Sequence, residues 1–253
     1  MFWTMGDGVR LSAGISASLI LAMLAMTASA ADRPASPSVK LPSPSVKLPS
    51  PSVNAPHPSV NAPTRAQALK ALEEPSAQAR LAAVVRLAEV GTMLDADRVA
   101  LRLHDDDEQV RLVAGVSMWQ IWSRSGVKAI DSQYQRGVQL MEAAQLQAAL
   151  ATFSDIIKKQ PTFAEAWNKR ATLYYMMGEY QLSLKDCDEV LKRNRNHFGA
   201  LSGYAQIYTE LGDFKRAISY FERALKVNPN LPNADSTLQF LQERLAQKER
   251  NTI

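Results

Sequence analysis

Tyr204–Asn230 reads YAQIYTELGDFKRAISYFERALKVNPN. It is the part of the chain that decides the fold. Helix-forming residues lie on both sides of Gly212, and Pro229 stands at the far end. Glycine accepts the left-handed conformation that ends a helix, and proline stops the next one. Tyr208, Phe214, Phe221 and Leu225 are large apolar knobs, while Ala205 and Ala217 are small sites where two helices can cross closely. The stretch is a helix–turn–helix hairpin.

The same pattern recurs with a period of 34 and no gap. The units run 130–163, 164–197 and 198–231. Gly137, Ala171 and Ala205 coincide, as do Ala149, Ser183 and Ala217. Leu140/Tyr174/Tyr208, Leu146/Tyr180/Phe214, Phe153/Cys187/Phe221 and Ile157/Leu191/Leu225 align as large or buried positions. Turns fall at Ala144, Gly178 and Gly212, and the units close near Pro161, Arg195 and Pro229. A period of this size marks a stack of hairpins in which each unit covers its neighbour. On these residues the chain resembles the tetratricopeptide repeat family. The third unit fits nearly every position, and Trp167 supplies the family's tryptophan in the second. The first is more degenerate, with Gln133 and Ala144 at positions that favour an aromatic or Leu and Gly. A following helix, about 232–248, resembles the family's capping helix, with a charged face at Glu243, Arg244 and Lys248.

The resemblance implies a superhelix whose first helices line a concave groove for a protein or peptide partner. In the family, positions 2, 5, 9, 12 and 13 of each unit face that groove. Here they are Asp131, Tyr134, Val138, Met141 and Glu142; Glu165, Asn168, Thr172, Tyr175 and Met176; and Gly199, Ser202, Gln206, Thr209 and Glu210. The set is aromatic, thioether, amide and acidic. It suits an extended peptide or helix of some basic character. The basic residues with which some members hold a C-terminal carboxylate are not reproduced.

Upstream, Pro75 opens PSAQARLAAVVRLAEV and Asp106 opens DDEQVRLVAGVSMWQI, at a spacing of 31. Gln78/Gln109, Arg80/Arg111, Leu81/Leu112, Ala83/Ala114 and Val85/Val116 are identical pairs. This resembles short HEAT-like repeats. Trp119 and Trp122 lie near the join with the following repeats and are expected in its core, with an exposed aromatic patch as the alternative.

The N-terminus carries Arg10, the apolar run Leu11–Met26, and small residues at Ala28 and Ala30. That is the plan of a secretory signal peptide, with cleavage expected between Ala30 and Ala31. An uncleaved anchor is the alternative. Residues 36–63 are four heptads, SPSVKLP, SPSVKLP, SPSVNAP and HPSVNAP. Two prolines per heptad exclude helix and favour a disordered, polyproline II linker, which acts as a spacer or as a ligand for a proline-recognising partner. The expected organisation is a signal at 1–30, a linker at 31–63, HEAT-like repeats at 64–127, three tetratricopeptide units at 128–231, and a cap and tail at 232–253. The fold class is all-α, an α-solenoid.

The formal net charge of +4 comes without a dense basic face, which argues against nucleic acid. Only one cysteine, Cys187, is present, so no internal disulfide forms, and its alignment with Phe153 and Phe221 predicts a buried, inert thiol. His57, His104 and His197 belong to no metal-binding pattern, and no phosphate-binding loop or nucleophile elbow occurs. The acidic run His104–Glu108 reads as a helix start, where carboxylates meet the positive end of the dipole. No catalytic residues, metal or cofactor are expected. The expected function is a periplasmic or secreted protein-interaction adaptor of the bacterial cell envelope, with no membrane span once the signal is removed. The alternative is an accessory subunit of an envelope enzyme complex acting on cell wall or polysaccharide.

Overall fold

The computed structural model describes residues 62–251, all within one compact unit spanning Val39–Ile253. The signal segment, the cleavage pair Ala30/Ala31 and almost all of the proline linker lie outside the described residues. Among the described residues the fold is all-helical, with eleven α-helices and two 3-10 turns. None of these helices is long and apolar enough to cross a membrane.

Helices α1 (Arg65–Ala71), α2 (Ala77–Val90), α3 (Ala96–Ala100) and α4 (Glu108–Trp122) form the N-terminal stack, in which a short helix precedes a long one twice. The period of 31 is written into its hydrogen bonds. Arg80 donates to the carbonyls of Glu74 and Pro75. Arg111, one period later, donates to those of Asp105 and Asp106. Ser76 and Asp107 cap α2 and α4 through their side chains. The acidic run 105–108 is therefore a helix start. Asp105 also takes a bidentate ion pair from Arg80 and a further one from Arg102. That hydrogen bonding outweighs burial and holds the Asp105 carboxyl below its usual range.

Three hairpins follow: α5 (Lys128–Glu142) with α6 (Leu146–Lys159), α7 (Ala164–Met176) with α8 (Tyr180–Arg193), and α9 (Phe198–Glu210) with α10 (Phe214–Val227). The second helices begin at Leu146, Tyr180 and Phe214, one per period of 34. Each turn has the same geometry. Ala144, Gly178 and Gly212 all have positive φ, at 57°, 78° and 69°. The next residue returns its N–H to a carbonyl five residues back, as in Gln145 to Leu140, Glu179 to Tyr174 and Asp213 to Tyr208. Gly137 is glycine because the Phe153 ring lies 2.7 Å from where a Cβ would sit. Cys187 is buried as its alignment requires, and burial pushes its thiol up, away from the reactive thiolate. Helix α11 (Ala234–Arg250) closes the end, burying Leu241 and Thr237.

Helix α4 is the element that joins stack and repeats. At its C-terminal side the Ser125 carbonyl accepts from Gln160 Nε2, just after α6. Trp122 and Trp119 meet His197 and Phe198, just after α8. Gly115 lies near Asn228, and Arg111 donates to Asn230, just after α10. Helix α4 thus meets the turns after α8 and α10, and Ser125, just beyond its end, meets the turn after α6. Trp119 and Trp122 are buried in this join, in one apolar core with Leu87, Val110 and Phe198.

Candidate partner-binding groove

The first helices of the repeats, α5, α7 and α9, carry the residues expected in the groove. The structure divides them into two halves. At the N-terminal ends of these helices the surface is closed. Tyr134, Glu165, Asn168 and Gly199 are buried. The tip of Trp119 lies 2.2 Å from the position of a Cβ on Gly199, so only glycine fits there.

Beneath Trp119 and Trp122 sits a closed polar cluster. Glu165 is fully buried at its side chain, as is His197. His197 caps α9, its Nδ1 accepting from the Ala200 N–H at 3.0 Å. Nε2 therefore carries the ring proton and donates it to Glu165 Oε2 at 2.9 Å. The other carboxylate oxygen accepts from Asn168 Nδ2 at 3.1 Å and from Tyr134 Oη at 3.4 Å, with Lys169 Nζ 3.5 Å away. Burial raises the Glu165 carboxyl, but the Lys169 charge and the His197 and Asn168 hydrogen bonds outweigh it, and its pKa falls below the ordinary value. The His197 ring stacks on Trp122 at 4.2 Å, and Lys169 lies 5.9 Å above the Trp119 ring. The Glu165 and His197 side chains expose no surface, while Lys169 keeps 15% of its own.

Four expected groove residues are thus corrected: Tyr134, Asn168 and Glu165, which belong to this cluster, and Gly199, which lies under Trp119. They offer a partner no surface. Gln206 is also buried, at 7% exposure. The reason is the same for the first four: the family pattern tells which face of α5, α7 and α9 points inward, not that α4 lies across its lower end. Sequence reasoning missed the Glu165–His197 pair. Its one signal is a histidine placed at the start of α9, where a ring nitrogen can cap.

The C-terminal halves of α5, α7 and α9 remain open. Val138, Met141, Thr172, Tyr175, Ser202 and Thr209 are partly exposed, and Met176 is 53% exposed. Thr172 and Thr209 turn their hydroxyls onto their own helix, donating to the Asn168 and Ala205 carbonyls. The Tyr175 and Tyr180 rings lie 5.8 Å apart, and burial together with nearby Glu210 pushes the Tyr175 phenol up to about 12. Glu142 and Glu210 stand exposed at the rim. Among the described residues no group of His, Cys, Asp and Glu could hold a metal ion.

Residues 162–230, the second and third hairpins, match the tetratricopeptide repeat. The second and third hairpins are similar to tetratricopeptide repeats. A TPR repeat-containing protein of Rhizobium etli is 36% identical over 125 residues, 49% of this chain and 61% of that protein. The chain so spans about three fifths of the curated relative it matches. Among solved structures, similar chains include the first TPR of Spaghetti (RPAP3), determined with an HSP90 peptide. It has a TM-score of 0.45 and 20% identity, over 46% of this chain and 93% of that one. The Sgt2 TPR domain of Aspergillus fumigatus gives 0.46 and 15% over 49% and 83%, and MamA protein gives 0.44 and 14% over 62% and 87%. The first hairpin, whose turn carries Ala144 in place of glycine, lies outside the family match.

Proposed function

We propose that this protein is a non-catalytic adaptor of the bacterial cell envelope, and that the open half of its groove holds a peptide segment of a protein partner. The carrying observation is the partly exposed strip of Val138, Met141 and Tyr175, with exposed Met176, on consecutive first helices. Aromatic and thioether side chains give large contact area with few constraints on the ligand's shape. Residues 1–30, with their apolar run and Ala28/Ala30, support export.

The test is capture. The tagged protein is cross-linked in intact cells and purified from the envelope fraction, beside a Tyr175→Ala, Met176→Arg variant. The expected result is a specific partner held by the wild type and reduced at least tenfold in a variant that keeps its helical circular dichroism. An unchanged partner set would move the binding surface elsewhere. N-terminal sequencing of the captured protein is expected to begin at Ala31; a start at Met1 would overturn the cleaved-signal part.

A further inference from the structure

The open half of the groove has a sign as well as a shape. Glu142, Met176 and Glu210 occupy the same position in successive repeats, and all three are exposed. Neither Glu142 nor Glu210 forms an ion pair among the described residues; Glu210 receives only the Tyr175 hydroxyl at 3.4 Å. Three first helices also end here, each presenting the negative end of its dipole. Around the third turn Arg216 pairs with Asp213 and Lys248 donates to the Gly212 carbonyl, while Lys215 stands exposed on the first turn of α10. The strip between the two glutamates is apolar.

A segment with the opposite character lies in the same chain. Residues 39–48 read VKLPSPSVKL, and no carboxylate occurs between Arg33 and Pro63. We propose that this segment of the chain's own proline repeat docks in the open half of the groove, with Lys40 and Lys47 paired to Glu142 and Glu210 and the intervening apolar residues over Met176. The inference rests on the groove reading above and names the segment that fills it when no partner is bound.

The spacing fits. Helices in contact lie 8–10 Å apart, which puts Glu142 and Glu210, two steps apart, at roughly 16–20 Å. Polyproline II rises about 22 Å over seven residues, the sequence separation of the two lysines. The reach fits too. Pro63 is held on α2 by Arg86, which donates to its carbonyl at 2.7 Å. From there, fifteen residues of polyproline II extend about 46 Å, more than the diameter of a domain this size. Tethering places the segment at an effective concentration in the millimolar range, so a weak contact suffices. A partner with a tighter basic and apolar segment would displace it.

The test uses the full chain and limited trypsin digestion read by mass spectrometry, following cleavage after Lys40 and Lys47. The comparison is a Glu142→Lys, Glu210→Lys variant, both exposed sites, with its thermal melt checked. Docking at nine-tenths occupancy slows cleavage at both lysines about tenfold relative to the variant. Added salt is expected to remove that protection, and dilution is expected to leave it unchanged. Equal cleavage rates in the two proteins overturn the proposal. Protection that vanishes on dilution also overturns it, because the occupant is then a second copy. Partner capture with no protection leaves the adaptor reading intact and sinks only this one; protection without capture does the reverse.

Discussion

Residue 144 shows how one side chain can depart from a repeat pattern while the backbone does not. Gly178 and Gly212 hold their turns at positive φ without steric cost, and Ala144 adopts φ of 57° with a Cβ. The Cβ then crowds the following carbonyl, at a cost of about 1 kcal/mol. The hydrogen bonds of the turn are nevertheless complete, so the surrounding hairpin imposes the conformation. Ala144→Gly is therefore expected to stabilise the protein by about 0.5 kcal/mol at most, the relief of strain being largely offset by the added freedom of the unfolded chain. Urea denaturation measures it, as a shift of midpoint at constant slope. A destabilised variant would show that the turn is unstrained. The alignment in the sequence made this position legible, because it placed Ala144 opposite two glycines.

Among the elements, α7 and α9 are coupled through Glu165 and His197, and α4 covers the pair. Glu165 has a folded pKa below its unfolded value near 4.5. A depressed carboxyl contributes stability above the unfolded pKa and loses it as pH falls through the folded one. The stability gap between wild type and Glu165→Gln should be full at pH 6 to 7 and close progressively below about pH 4.5. Thermal melts of both proteins across that range test it, and a gap that stays constant would remove the charge from the account. Little of this coupling could be read from the sequence. The period of 34 gave the helices, their turns and their inward faces, since each follows from residues within one hairpin. What lies on those faces depends on α4, which is distant in the chain from α7 and α9. Identity between units misleads in the same way: Leu112, Val85 and Val116 belong to identical pairs, yet are 52%, 45% and 41% exposed. The two tryptophans near the join were legible because buried aromatic residues have few other places to go.

For the molecule as a whole, the question is whether the N-terminal stack and the repeats are one cooperative unit. In a simple solenoid each unit touches only its neighbours, and stability approaches a sum of units and interfaces. Here α4 and the Ser125 turn that follows it break that rule by meeting all three repeats. Asn230, beyond the last hairpin, donates to the Leu103 carbonyl and accepts from Arg111, contacts that close 127 and 119 residues of chain. Val227 and Leu231 pack against the same apolar core as Leu87, Trp119 and Phe198. Removing the stack would therefore uncover the ends of all three repeats together. The described region is expected to unfold in a single transition, with tryptophan fluorescence and far-ultraviolet circular dichroism coinciding across a urea titration. Trp119 and Trp122 report on the join and Trp167 on the second repeat, so the fluorescence covers both parts. Trp122→Ala, which empties a buried indole site at the join, should cost about 3–5 kcal/mol. Because the join is shared, that loss should move both probes by the same amount. Two separated transitions in the wild type would show instead that the stack folds independently and that α4 rests on the repeats without binding them into one unit.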